Sequence, residues 1–352
     1  MPELNPETIL AQLRGVKYPG YSRDIVSFGM VKDVQIDGSR VLVQIALTTA
    51  DEKIPRMIEE NVTAVIEAIP GVSEAVVKLD ISAPVTKAMQ AEGLPQTKIP
   101  GVKHIIAVAS GKGGEGKSTV AANLAVALRG EKNEARVGLC DCDIYGPSIG
   151  LMFGTNERPN ATEDGRIDPI KRFDLKLMSM GFLLDDAAPA ILRGPMVTRY
   201  TQQFLRSVDW GELDYLVLDL PPGTGDIQLT IVQTVALSGA IIVTTPQEVA
   251  LIDARKAATM FTKVNVPILG LVENMSYFVC PNDGNRYHIF GSGGGEREAA
   301  RLQVPLLAQI PLEISLRESG DKGLPAAQGD PSGVTGKLFQ QVAQAICKQC
   351  PM

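Results

Sequence analysis

Residues 111–118 read Gly-Lys-Gly-Gly-Glu-Gly-Lys-Ser and fit the pattern G-x-x-x-x-G-K-[ST]. An apolar strand, HIIAVAS (104–110), precedes them and a helical stretch, TVAANLAVAL (119–128), follows. That is the setting in which the pattern binds phosphate. Gly113, Gly114 and Gly116 let backbone N–H groups close around a phosphate. Lys117 reaches the β- and γ-phosphates, Ser118 is placed to ligate Mg²⁺, and the helix N-terminus adds a favourable dipole. The candidate nucleotide-binding loop is therefore Gly111, Gly113, Gly114, Glu115, Gly116, Lys117, Ser118 and Thr119. Glu115 places a negative charge near the phosphates, which weakens nucleotide affinity unless its side chain points outward.

Acidic residues at other strand ends complete this chemistry. Asp219 stands at the end of LDYLVLD, where a carboxylate holds Mg²⁺, usually through water. The turn PPGTGD (221–226) follows, with enough glycine to rearrange when a γ-phosphate leaves. Asp141 and Asp143, in DCDIYGPS, fall on the same side of an extended chain, so one could orient the attacking water and the other help place Mg²⁺. Either could instead cap the helix that follows. Asn274, in VENMS (272–276), is placed to read an adenine edge, or is a turn residue at a strand end. No Asn-Lys-x-Asp motif for guanine is present, which favours ATP.

Thiols are the other reactive groups. The chain of 352 residues has five Cys and two His, His104 and His288. So few histidines leave little room for a histidine-rich metal site or a Ser-His-Asp triad, and a bound metal must rely on thiolate. The odd count in a chain of this size argues against a disulfide scaffold. Cys280 lies in a polar Pro-Asn-Asp-Gly turn, a place for a reactive thiol and not for a core filler. Cys140 and Cys142 read as small packed residues. Cys347-x-x-Cys350 suits a metal or cluster site, a redox pair or an incidental pair of tail thiols.

The elements that must position these groups form two domains, as the length suggests at roughly 150 residues per domain. A small α/β domain is expected over 1–81, with helices at 6–16 and 53–69, a hairpin over 30–48 broken at Asp37-Gly38, and a strand at 73–81. A proline-bearing linker (82–101) follows. Residues 102–352 alternate near-continuous apolar strands (104–110, 136–141, 175–180, 214–220, 240–245, 267–274 and 305–311) with helices such as 249–264. The fold class is α/β, a doubly wound, mostly parallel sheet with ligands at the carboxyl ends of its strands.

Composition narrows the partners. Lys plus Arg number 34 against 40 Asp plus Glu, a formal charge of −6, which argues against nucleic acid as a main partner. No apolar run is long enough to span a membrane, and MPELNPETIL has neither the basic nor the apolar region of a signal peptide, so a cytoplasmic protein is expected.

At Lys112 the loop resembles the deviant Walker A group, the MinD/ParA-like ATPases, in which a second lysine reaches across a dimer interface to the partner's nucleotide. KGGEGKSTVAANLAVAL, DCDIYGPSI, RGPM (193–196), DYLVLDLPPGTGD, TTPQEVALIDARKA (244–257) and VENMSYFVCPNDG (272–284) are together similar to the Mrp/ApbC-type iron–sulfur cluster carrier ATPases, over about residues 100–330. DIVSFGMVKDVQIDGSRV and IPGVSEAVV resemble the small iron–sulfur assembly domain often fused to them. The resemblance implies a homodimeric ATPase holding a [4Fe–4S] cluster at its interface and passing it to apoproteins, with cluster scaffold proteins as further partners. It implies catalytic roles for Lys112, Lys117 and Asp143, the last as the residue that orients water, and a metal-ligand role for Cys280.

The sequence departs from that pattern at informative places. The family usually has Cys-Pro-x-Cys after SYFV; here Cys280-Pro281-Asn282-Asp283 keeps one thiol, so two copies supply two thiolates where such a cluster normally takes four. Asp283 could offer iron an oxygen instead. The small domain lacks the cysteine expected near LTTADEKIP (47–55), and Glu115 replaces a small or apolar loop residue. Two other function classes follow. One is a nucleotide-gated scaffold with no cluster of its own. The other is a MinD/ParA-like positioning ATPase, which needs a basic amphipathic helix or patch. The C-terminal stretch has Val334, Leu338, Phe339, Val342 and Ile346 on one face but only Lys337 and Lys348, and so reads as a docking helix and not a membrane anchor.

Overall fold

Alternation on either side of Asp37-Gly38 folds the first part of the chain back on itself. The computed structural model describes residues 4–17, 24–27, 29–48, 53–82, 98–130, 134–183 and 205–352. RGPM (193–196), most of the expected linker and part of LTTADEKIP lie outside the described residues. The chain divides into two units, Met1–Glu92 and Gly93–Met352.

In the first unit, α1 (Pro6–Leu13) is followed by β1 (Val31–Asp37), β2 (Arg40–Thr48), α2 (Lys53–Glu67) and β3 (Glu74–Ser82). β1 and β2 pair antiparallel. β2 and β3 pair in parallel, from Arg40↔Glu74 to Thr48↔Ser82, and α2 supplies the crossover that a parallel pair needs. Val41, Val43, Ile45 and Leu47 are buried from one face of β2, as are Ile58, Val62 and Ile66 at helical spacing on α2.

The second unit begins with β4 (Val102–Ser110), α3 (Lys117–Arg129), β5 (Val137–Asp141) and α4 (Ile149–Met152). It continues through β6 (Ile170–Arg172), β7 (Leu175–Ser179), β8 (Leu213–Asp219), α5 (Asp226–Thr234), β9 (Gly239–Thr244), α6 (Glu248–Lys263) and β10 (Ile268–Glu273). A short hairpin, β11 (Phe278–Val279) and β12 (Arg286–Tyr287), precedes α7 (Gly294–Leu302), β13 (Leu306–Gln309), α8 (Ile314–Asp321), α9 (Ala326–Gly329) and α10 (Val334–Gln349). One eight-stranded sheet runs β13-β10-β9-β4-β8-β5-β7-β6. All its pairs are parallel except β6–β7.

Every residue of β5, β8 and β9 is buried, which explains their unbroken apolar runs. β4 sits mid-sheet between β9 and β8, and its register with β8 sets Val108 opposite Asp219. β5 lies on the far side of β8 with Asp141 opposite Asp219. The carboxyl ends of three neighbouring strands thus collect the loop and two carboxylates in one place.

The C-terminal helix docks, but on its own chain. Phe339, Val342, Ala343 and Ile346 are buried, and α10 packs against α3 and β13. Val334, expected on the same face, is exposed. The tail beyond it is tied down: the Tyr215 hydroxyl donates to the Cys350 carbonyl at 2.6 Å, and His104 Nε2–H donates to the Pro351 carbonyl at 2.8 Å. Among the described residues no helix is long and apolar enough to cross a membrane.

Candidate functional site

The loop between β4 and α3 is shaped by close approaches. A Cβ at Gly111 would lie 2.2 Å from the backbone of Asp253, and one at Gly116 would lie 2.1 Å from Asn274 Nδ2. Gly116 also has φ +78°, so no other residue fits there. Nothing among the described residues crowds Gly113 or Gly114. Gly116 is the N-cap of α3 and no side chain among the described residues caps the helix, so the amides at Lys117, Ser118 and Thr119 keep the donor character that anions seek. Lys112 is exposed at the loop's outer side, with its carbonyl held by Ser110 Oγ at 2.8 Å.

The charges behind the loop are buried. The Lys117 ammonium pairs with Asp219 Oδ1 and also reaches Ser118 Oγ at 3.2 Å. Asp219 is wholly buried and its Oδ2 has no hydrogen-bond partner among the described residues. Burial pushes its carboxyl up, and the Lys117 charge pulls it back. An orphaned carboxylate oxygen beside a serine hydroxyl is a hard oxygen set of the kind Mg²⁺ selects, so these residues fit that ion.

Asp141 and Asp143 have different work. Asp141 accepts from the amides of Asp143 at 3.0 Å, Ser148 at 2.9 Å and Ile149 at 3.2 Å, and from Ser179 Oγ at 3.2 Å. It therefore holds the segment after β5 and caps α4. Burial first, and then the charge of Asp219, pushes its carboxyl up to about 7. Asp143 is half-buried, accepts from Gly146 N–H at 3.2 Å and adds negative potential at Asp219.

Glu115 points inward. It is 5% exposed; Oε2 accepts from Lys112 N–H at 3.3 Å and Oε1 has no partner among the described residues. Burial, with the charge of Asp253 added, lifts its carboxyl to about 7, against the pull of the Lys112 amide. At that value the side chain is neutral for part of its population near neutral pH, which softens the expected clash with phosphate. Asn274 also turns to the loop: its Nδ2 donates to the Glu115 carbonyl at 2.8 Å across 159 residues of sequence.

Cys280 opens the turn of the β11–β12 hairpin. Its amide donates to the Asn285 carbonyl at 3.0 Å, its carbonyl accepts from Gly284 N–H at 2.8 Å, and the residue is half-buried. Asp283 accepts from Asn285 N–H at 2.9 Å through Oδ1 and from the Tyr287 hydroxyl at 2.7 Å through Oδ2, contacts that hold its carboxyl below the usual range. Both of its oxygens are thus engaged within the turn. Among the described residues no group of three or more His, Cys, Asp or Glu is arranged to hold a metal ion. Cys140 and Cys142 are buried, with their sulfurs 3.9 Å apart, and burial drives the Cys140 thiol well up. Cys350 is buried in the anchored tail.

The structure thus brings together Gly111–Thr119, Asp141, Asp143, Asp219 and Asn274, and sets Cys280 on a hairpin reached directly from Asn274. Sequence reading missed Glu273. It is wholly buried, accepts from Ser276 Oγ at 2.6 Å and Gln309 Nε2 at 3.1 Å, and receives the Gly295 amide at the start of α7. An acid ending an apolar strand, with a glycine-rich helix start downstream, was the available signal.

The profile of the NUBPL iron-transfer P-loop NTPases matches residues 101–347, and that of the iron–sulfur cluster assembly proteins matches residues 6–95. An "Iron-sulfur cluster carrier protein" of Synechocystis is 44% identical over 99% of this chain and 99% of its own length. A nucleotide-binding protein from Archaeoglobus fulgidus, solved in complex with ADP, aligns at TM-score 0.57 and 39% identity over 68% of this chain and 92% of that one. The cell division ATPase MinD of Pyrococcus furiosus shares the fold, at TM-score 0.53 and 24% identity over 70% of this chain and 99% of that one.

Proposed function

This chain belongs to the family of NUBPL iron-transfer P-loop NTPases, and on that premise we propose that it is a cytoplasmic ATP-hydrolysing carrier which, as a homodimer, holds an iron–sulfur cluster and passes it from scaffold proteins to apoproteins. The observation that carries the reading is the uncapped start of α3 beside Lys117, Ser118 and the orphaned Oδ2 of Asp219. Phosphate binding at the loop draws Lys117 from Asp219 to the β- and γ-oxygens. The amides of Gly113, Gly114, Gly116, Lys117, Ser118 and Thr119 take the phosphate charge. Ser118 and Asp219 would hold Mg²⁺, which would supply positive charge against the phosphates. Asp143 orients the attacking water, while Asp141 keeps the Asp143 segment in place. Lys112, exposed at the rim, reaches the nucleotide of the second copy.

The cluster is the cargo. Cys280 from each of two copies provides its thiolate ligands, with the remaining iron sites open to donor or acceptor proteins; [4Fe–4S] is the type the family resemblance suggests. Phe339, Val342 and Ile346 of α10 are buried against the chain itself and not offered to a lipid membrane, which weighs against the positioning reading. The closed turn of Asp283 favours one second reading, a nucleotide-gated scaffold without its own cluster. The test is phosphate release from ATP together with transfer of label from ⁵⁵Fe-reconstituted protein to an apo-ferredoxin. The proposal expects both. Hydrolysis without iron retention or transfer would select the scaffold reading.

A further inference from the structure

We propose that Asn274 is a positioning residue that couples the state of the nucleotide loop to the setting of Cys280. This rests on the nucleotide site proposed above and goes beyond a base contact. Asn274 is 4% exposed, and its Nδ2 donates to the Glu115 carbonyl in the middle of the loop. Gly116 leaves room for that approach and for nothing else, since even a Cβ would stand 2.1 Å from Nδ2. A loop that closes on phosphate moves this carbonyl, and the amide must follow it or lose its buried bond.

Beyond Asn274 the chain has little freedom to absorb a shift. The backbone N–H of Asn274 donates to the Thr244 carbonyl at 2.8 Å, which ties the residue after β10 to the end of β9. Met275 takes φ +54°, an uncommon setting for a residue with a side chain. Ser276 N–H donates to the Ile310 carbonyl at 2.9 Å, Leu312 N–H donates to the Tyr277 carbonyl at 2.7 Å, and Ser276 Oγ bonds to Glu273 at 2.6 Å. The Arg286 guanidinium of the returning strand lies 4.6 Å from the centre of the Tyr277 ring. The segment is a strut with the loop at one end and the Cys280 hairpin at the other, and coupling through such a connected network is physically available.

The experiment measures the rate of iodoacetamide labelling of Cys280 in the full chain, assigned by peptide mass spectrometry because Cys347 is also partly exposed. It is run without nucleotide and with ADP at a concentration that equilibrium binding shows to saturate each protein. The protein concentration is one at which sedimentation shows no change of oligomeric state. Wild type is expected to change its labelling rate by about threefold or more, the size that connected side chains carry. Asn274→Asp, which cannot donate to the Glu115 carbonyl, and Ser276→Ala, which removes a strut bond outside the nucleotide site, are each expected to lose most of that change. Ser276→Ala is expected to keep wild-type ADP affinity. A wild type that binds ADP with no change at Cys280 overturns the inference and leaves the nucleotide site standing. So does a full response in both variants. Loss of ADP binding in Asn274→Asp, with a full response in Ser276→Ala, makes Asn274 a base contact and also overturns it. A wild type that binds no nucleotide defeats the underlying reading instead.

Discussion

The two ends of the Asn274–Cys280 segment are built in opposite ways. At one end Lys117, Asp141, Asp219 and Asn274 are all buried, and most of their polar atoms are committed to named partners. At the other, the residues from Pro281 to Ile289 are all exposed, and two two-residue strands carry the only thiol set in a polar turn among the described residues. A buried, preorganised charge cluster suits repeated chemistry on phosphate, where reorganisation is expensive. An exposed hairpin with one thiol suits a ligand that is shared between molecules and then surrendered.

Variants at the two ends should therefore fail differently. Lys117→Ala is expected to lower ATP hydrolysis by about 10²–10³-fold, as removal of one preorganised donor does. Near-normal turnover would remove the catalytic half of the contrast. Unfolding in urea should also show a loss approaching about 3–5 kcal/mol, because Asp219 is left buried and unpaired.

Asp283→Cys sharpens the other half. It breaks two contacts within an exposed turn and supplies a second thiol per chain, so iron retained after anaerobic reconstitution should rise about twofold. Unchanged iron content would show that thiol number does not limit the hairpin. Asp141→Asn keeps the shape but takes away part of a four-donor acceptor. A loss of about 1–3 kcal/mol in urea unfolding is expected, since the buried Ile149 amide and the part-buried amides of Asp143 and Ser148 go short of acceptors.

The smallest effect belongs to Glu115→Gln. A carboxyl raised from 4.5 to about 7 binds more protons in the folded chain than in the unfolded one, so its share of stability is present below about pH 4.5 and is lost as pH rises through 7. The glutamine side chain keeps an acceptor for Lys112 N–H but adds an unpaired NH₂, so the gain should be on the order of 1 kcal/mol at pH 8, with none at pH 5. Melting curves at the two pH values check the sign.

The parallel sheet and the phosphate loop were legible because burial on both faces demands unbroken apolar strands and the loop needs glycine at fixed places. The meeting of Asp141 with Asp219 could be placed at strand ends, but their partners could not. Whether Asp141 caps a helix or faces Mg²⁺ depends on a register that sequence does not print. Asn274 and the Glu115 carbonyl are 159 residues apart, and a side chain to backbone bond leaves no trace in residue type at the acceptor. The strands of the Cys280 hairpin are too short to show a period, as is β6. The face of α10 was visible, but an amphipathic pattern is the same whether its partner is another molecule or, as here, α3.

The central claim, that a nucleotide site backed by buried charges serves a thiol shared between two copies, is tested most directly by iron and sulfide analysis of anaerobically reconstituted protein, wild type beside Cys280→Ser, with ATP hydrolysis measured on the same samples. The account predicts one cluster per two wild-type chains, and loss of bound iron and sulfide in Cys280→Ser while hydrolysis persists. Equal iron and sulfide in the two proteins, or a wild type that binds neither while hydrolysing ATP, would contradict it.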